Sequence, residues 1–189
     1  MIYSWQKQLW KDLIERVERL PHALLFAGPA GSGKAQFAEA LAARILCEQP
    51  GAGGTEGFAC GQCQACGWYA NGSHPDFRLI TPESAQAAAS DAEANSADEA
   101  SEGDLAKGKK RSEQIRIEQI RELGGFLGVG AHRQGFRVVI IQPAEAMNPA
   151  AANSLLKLLE EPPATTLFIL ITDSYSTLLP TILSRCQTL

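Results

Sequence analysis

Ala23-Leu24-Leu25-Phe26-Ala27-Gly28-Pro29-Ala30-Gly31-Ser32-Gly33-Lys34-Ala35 decides the fold of this chain. Five consecutive apolar residues predict a short buried strand, and they run directly into a glycine-rich loop. From Lys34 to Leu46 the sequence is Ala-rich, with Phe37, Leu41 and Ile45 as its large apolar residues. That stretch predicts a helix whose N-terminus faces the loop. Strand, loop and helix in this order are the context a phosphate-binding loop requires, and Gly28 to Lys34 fits the pattern G-x-x-x-x-G-K. In the full pattern, glycines let backbone N–H groups close around phosphate, the Lys reaches the outer phosphates, and a Ser or Thr hydroxyl coordinates Mg²⁺. Here the hydroxyl position is Ala35. Gly28, Gly31, Gly33 and Lys34 are therefore candidate phosphate contacts without a metal ligand beside them.

A second metal ligand is missing further along. Phe136-Arg137-Val138-Val139-Ile140-Ile141 reads as a central parallel strand, apolar on both faces. Phosphoryl transfer uses an acidic residue at the tip of such a strand to help hold Mg²⁺. This strand ends Ile141-Gln142-Pro143, with no carboxylate. Glu145 lies three residues beyond Gln142, after Pro143 has redirected the chain, and reads as a solvated loop acid. Hydrolysis at this loop is not expected and no Mg²⁺ site is expected; whether the loop binds ATP is a separate question.

The remaining pattern is an alternation of strands and helices. Trp5, Leu9, Trp10, Leu13, Ile14 and Val17 predict an amphipathic helix over about residues 4–19. Ile117, Ile120, Leu123 and Leu127 predict another, interrupted at Gly124-Gly125. Pro149 opens a helix carrying Leu155, Leu156, Leu158 and Leu159, which Pro162-Pro163 stop. Leu167 to Thr172 is a further buried strand, and Thr181 to Cys186 follows a short connection. Such alternation argues an α/β fold, a parallel sheet sandwiched by helices. Residues 1–189 read as one P-loop domain, with an inserted module over 47–80 and a tract over 82–112. That tract is dominated by Ala, Ser, Glu and Asp, closes with Lys107-Gly108-Lys109-Lys110-Arg111, and reads as a disordered loop.

The chain has 189 residues, 45% of them hydrophobic, which is enough to bury a core of ordinary domain size. A net charge of −4 and a pI near 5.4 argue against a broad basic surface for nucleic acid. The first ten residues lack the basic-then-apolar order of a signal peptide, and no apolar stretch is long enough to span a bilayer, so a cytoplasmic protein is expected.

Four of the five cysteines, Cys47, Cys60, Cys63 and Cys66, are spaced C-x12-C-x2-C-x2-C. In a reducing compartment this spacing favours a metal over disulfides. Two consecutive C-x2-C steps gather three thiolates and Cys47 can supply the fourth, which suits tetrahedral Zn²⁺. An iron–sulfur cluster is the rival, although the C-x3-C-P continuation of ferredoxins is absent. Four thiolates leave no open coordination position, so the metal's role is structural. His74, ahead of Pro75, reads as a structural or capping residue rather than a fifth ligand, and Cys186 stands apart.

Taken together, the loop Gly28 to Lys34, the cysteine quartet, His74-Pro75-Asp76, the stretch Asn153 to Pro163 and Ser184-Arg185-Cys186 resemble the clamp loader subunits of bacterial DNA polymerase III, members of the AAA+ family. The resemblance covers essentially the whole chain except the acidic tract. The active gamma/tau type carries a full loop with Thr and an Asp-Glu pair at the strand end; Ala35 and Gln142-Pro143 make this chain more similar to the delta prime type. That resemblance implies a non-hydrolysing stator in a five-subunit ring, working beside gamma/tau and delta subunits and, through the assembly, on the sliding clamp and primer-template DNA. It implies that Arg185 acts in trans, as an arginine finger on ATP held by the neighbouring subunit. It puts Thr172 where the family has a nucleotide-sensing polar residue. It also implies that a lid domain and a collar domain follow the region represented here.

Two other readings compete. An active ATPase of the gamma/tau type requires Mg²⁺-dependent turnover that is lost with Lys34. A zinc-dependent DNA-binding module requires salt-sensitive DNA binding that is lost with the metal.

Overall fold

The computed structural model describes residues 2–52, 57–85, 112–128 and 135–189. The interior of the acidic tract and its basic end, 86–111, lie outside the described residues. At the tract's edges, the Ser84 N–H donates to the Ser112 carbonyl at 3.2 Å, so the chain leaves and returns at one point.

Among the described residues, five strands form one sheet: β1 (Ala23–Ala27), β2 (Phe77–Ile80), β3 (Arg137–Ile141), β4 (Thr166–Thr172) and β5 (Gln187–Thr188). Their order is β2-β3-β4-β1-β5, and every pairing is parallel. The helices whose full range lies among the described residues are α1 (Lys7–Glu15), α2 (Lys34–Leu46), α3 (Gln64–Ala70), α4 (Ile117–Gly128), α5 (Pro149–Glu160) and α6 (Pro180–Leu183).

Successive strand residues point to opposite faces, and each face has its own helices to pack against. Leu24, Phe26, Val138, Ile140, Ile169 and Ile171 join a cluster with Trp10 and Leu13 of α1 and Phe37 and Leu41 of α2. Leu25, Val139, Ile141, Phe168 and Leu170 join another with Ile120 and Leu123 of α4 and Leu155 and Leu159 of α5. The α/β sandwich expected from the sequence is the fold observed.

The bounds of β1 and α2 fall where the apolar run and the helical stretch put them, and α5 starts at Pro149 with Asn148 as its cap. The Asn148 Oδ1 accepts from the Ala151 N–H at 2.7 Å, satisfying one of the free N–H groups of the first turn. Three of these elements depart from the sequence reading. The single helix over 4–19 is a 3₁₀ turn (Ser4–Gln6), α1, and a second 3₁₀ turn (Val17–Arg19). Trp5, expected on the apolar face, is 67% exposed and stacks on Tyr3 instead, because the turn that carries it lies ahead of the core-facing stripe of α1. Gly124-Gly125 do not interrupt α4, which runs through them because Ile120, Leu123 and Leu127 anchor its buried face on both sides.

The third is β2, which was not anticipated as a strand. Phe77-Arg78-Leu79-Ile80 lies at the sheet edge with only Ile80 buried, so its sequence carries no sustained apolar run. It pairs Phe77 with Val138 through Ile80 with Ile141, and the segment 47–80 therefore ends inside the sheet. Among the described residues no helix is long and apolar enough to cross a membrane.

Candidate functional site

In a parallel sheet all strands end along one edge, and that edge is where ligands sit. Here the tips of β1, β3 and β4 bring together the loop after Ala27, Gln142 and Asp173. Gly31, Gly33, Lys34, Ala35, Gln142 and Asp173 line a cavity of about 230 Å³, together with Gln36 and Ile171. Gly33 caps α2 with a backbone φ of 81°, in the left-handed region that favours glycine. Gly28, Gly31, Gly33 and Lys34 thus share one loop, Ala35 presents only a methyl group, and Gln142 places a carboxamide where a metal site would have a carboxylate.

The Lys34 ammonium is already engaged. Its Nζ donates to the Gly28 and Pro29 carbonyls, each at 2.7 Å, and lies 2.8 Å from the Asp173 Oδ1 and 3.2 Å from the Ser32 Oγ. Asp173 escaped the sequence reading, which looked for an acid only at the tip of β3. The signal was an acidic residue directly after the buried run of β4, on the same edge of the sheet.

Glu145 is not the solvated loop acid expected. Its Oε1 accepts from the Asp173 N–H at 2.9 Å, and its Oε2 is buried without a partner among the described atoms. The carboxylate turns inward because the 3₁₀ turn Ala144–Ala146 packs against the end of β4. Thr172, fully buried, spends its hydroxyl on its own turn: Oγ1 donates to the Ser174 carbonyl at 3.0 Å and accepts from the Ser174 N–H at 3.1 Å.

The N-terminal 3₁₀ turn covers the loop from the other side. The Gln6 Nε2 donates to the Ser32 and Gly33 carbonyls at 3.3 and 3.1 Å, while its Oε1 accepts from the Tyr3 N–H at 3.0 Å. The Tyr3 ring lies against Gly33 so closely that a Cβ there would run into it. Nothing in the sequence pattern pointed to Gln6, since a Gln one turn ahead of a helix has no motif of its own.

The second site lies at the opposite end of α2, about 20 Å away for a 13-residue helix. The ligand atoms of Cys47, Cys60, Cys63 and Cys66 all fall within 4.8 Å of one another, with Cys47–Cys63 and Cys60–Cys66 sulfurs 3.9 Å apart. Tetrahedral Zn²⁺ with bonds of about 2.3 Å spaces its sulfurs about 3.8 Å apart, so the four thiols fit that ion. Backbone N–H groups point at the sulfurs: Cys60 to Cys47 at 3.3 Å, Cys63 to Cys60 at 3.3 Å and Cys66 to Cys63 at 3.4 Å. Gly61, at φ 71°, makes the tight turn that aims two such donors at Cys60. Hydrogen bonds from the Gln62 and Cys63 N–H groups pull the Cys60 thiol down to about 6, whereas burial pushes Cys66 up to about 12. A cation at the centre would supply the charge that lets all four ionise.

The module is fastened to the core by aromatics. Phe58 stacks on Trp10 at 4.5 Å, and Tyr69 contacts Phe77 edge-on at 4.8 Å while donating to the Glu39 carbonyl at 3.0 Å. His74 is 4% exposed and its Nδ1 accepts from the Asp76 N–H at 3.1 Å, so it caps the turn into β2 and is not among the clustered ligands.

Arg185 lies just after α6. Its Nη2 is 2.7 Å from the Glu160 Oε1, and its Nη1 donates to the Thr181 carbonyl at 2.9 Å and the Ser184 Oγ at 3.3 Å. Its side chain is one-third exposed and does not line the cavity at the phosphate loop.

Residues 5–189 match the family described as DNA polymerase III, delta subunit. The DNA polymerase III subunit delta' of Pseudomonas aeruginosa is 43% identical over 185 residues, which is 98% of this chain and 47% of that protein. The subunit delta' of Bacillus subtilis is 34% identical over 197 residues, covering all of this chain and 50% of that protein. The chain spans about half the length of the curated relatives it matches. Among solved structures, a DNA polymerase III gamma subunit-related protein of Thermotoga maritima superposes with a TM-score of 0.60 at 23% identity, over 95% of this chain and 44% of that one, a likeness of fold.

Proposed function

The chain belongs to the DNA polymerase III delta subunit family, and from that membership we propose that it is part of the delta prime subunit of the clamp loader, a stator that does not hydrolyse ATP itself. The observation that carries this reading is a phosphate loop kept through Lys34 but flanked by Ala35 and Gln142, where Mg²⁺-dependent phosphoryl transfer uses a hydroxyl and a carboxylate. Without the metal, charge developing on a transferring phosphoryl group loses a main counter-charge and Lys34 alone is left to meet it.

Arg185 is the residue we assign to catalysis, delivered in trans to ATP on a neighbouring gamma/tau subunit. Its partial exposure and its absence from the lining of this chain's own phosphate-loop cavity support the reading. A guanidinium from a neighbour stabilises the spread charge of the transferring group. Gly28, Gly31, Gly33 and Lys34 are then a vestigial phosphate site, and Thr172 a sensing position that no longer has a metal to report on. The quartet Cys47, Cys60, Cys63 and Cys66 would hold a structural Zn²⁺, folding the glycine-rich start of the 47–80 module against α1 and α2. The partners on this reading are the gamma/tau and delta subunits, with the sliding clamp and primer-template DNA reached through the assembly, in the cytoplasm.

The test is the ATPase of a reconstituted clamp loader carrying Arg185→Ala in the full-length subunit. The rate stimulated by clamp and DNA should fall about tenfold or more while assembly is kept, since such fingers contribute about 10³–10⁵ at the site they serve. An unchanged rate at saturating clamp and DNA would remove Arg185 from the mechanism.

A further inference from the structure

The phosphate loop is closed upon itself. An ammonium has three N–H donors, and three oxygens lie within 2.8 Å of the Lys34 Nζ: the Gly28 and Pro29 carbonyls and the Asp173 carboxylate. Every donor is therefore used before any phosphate arrives. The loop's backbone is engaged as well, with the Ser32 N–H directed at the Pro29 carbonyl at 3.4 Å and the Gly28 N–H at the Thr172 carbonyl at 3.3 Å. Gln6 ties the Ser32 and Gly33 carbonyls from outside, and the Glu145 carboxylate holds the Asp173 N–H, which fixes the turn that presents Asp173.

We propose that Asp173 is the resident occupant of this loop, its carboxylate standing where an outer phosphate oxygen would sit, so that a nucleoside polyphosphate binds only by displacing it. Asp173 is the sole anionic partner of Lys34 among the described residues; the other contacts are neutral parts of the loop. Displacement has two obstacles. The ammonium must give up its carboxylate, and the released carboxylate, at the rim of the same small cavity, repels the incoming polyphosphate. With half of the Asp173 side chain exposed, the bridge itself is weak, and most of the obstacle is that repulsion. The inference rests on reading Gly28–Lys34 as a phosphate loop and is independent of the role assigned to Arg185.

The experiment is calorimetric titration of ATP in Mg²⁺-free buffer without chelator into the full chain, its Asp173→Asn variant and the Lys34→Met/Asp173→Asn double variant. Asn keeps the size of the side chain and removes its charge, and a thermal melt of each variant checks folding. Asp173→Asn should bind about tenfold tighter than the parent, or about 1.4 kcal/mol, and the double variant should lose that gain. Equal affinity of Asp173→Asn and the parent, or a gain that survives the loss of Lys34, would overturn the proposal. The assay reads binding at this chain's own loop, so its failure is separate from a failure of the Arg185 assay, which reads turnover on a neighbour.

Discussion

Arg185 and Glu160, 25 positions apart, meet where α5 ends and α6 hands over to β5, with Nη2 and Oε1 2.7 Å apart. Both are partly in water, at 34% and 50% side-chain exposure, so the pair contributes little to holding the fold. Glu160→Ala should change stability by less than about 1 kcal/mol in urea unfolding. A loss several times larger would mean that the bridge is a structural strut and that Arg185 is not free to leave it.

The cysteine quartet predicts one metal per chain. Elemental analysis of freshly purified protein should find one equivalent of zinc, and iron or no metal would count against the assignment. A chelator strong enough to remove it should lower the thermal midpoint, because the stretch from Cys47 to Asp76 has few core residues beyond Cys47, Ala65 and Cys66. Cys63→Ser should do the same without chelator.

Phe37 is 1% exposed, meets the Trp10 ring edge-on at 5.5 Å and lies 5.3 Å from the Phe26 ring. Phe37→Ala should cost about 3–5 kcal/mol, read from the shift in urea midpoint. It sits one turn after Lys34 on α2, so a small effect would mean that the helix behind the phosphate loop can shift to fill the gap.

His74 gives the fold a pH dependence of known sign. Burial lowers its affinity for a proton below the ordinary value of 6.5, although Asp76 works the other way. The folded chain then binds this proton less readily than the unfolded chain, so the contribution is present above 6.5 and is lost progressively as pH falls below it. His74→Asn keeps an acceptor for the Asp76 N–H and cannot titrate. Unfolding free energy should fall less between pH 7 and 5 in the variant than in the parent. Equal slopes would show that His74 is not the group responsible.

What was legible locally came through intact. The strand, loop and helix from Ala23 to Leu46, the buried strands β3 and β4, and the start of α5 at Pro149 all follow from runs and spacings a few residues long. The four cysteines were legible for the same reason, since C-x2-C steps bring sulfurs together through one turn of backbone, and the structure gathers those four. Edge strand β2 was not legible, because a half-exposed strand needs no apolar run, only a neighbour to pair with. Glu145 was misread because its surroundings come from β4, not from its own turn.

The sequence by itself determined the layered α/β architecture, the phosphate loop with Ala35 at its hydroxyl position and the clustered cysteine quartet, because periodicity, glycine placement and ligand spacing act over short stretches of chain. Only the tertiary structure decided that Asp173 reaches Lys34, that Glu145 and Gln6 brace that arrangement, and that Glu160 holds Arg185. Those partners come from different elements: the parallel order β2-β3-β4-β1-β5 aligns the C-terminal ends of β1, β3 and β4 along one edge, where Lys34, Glu145 and Asp173 meet, while Glu160 and Arg185 meet ahead of the N-terminal ends of β4 and β5.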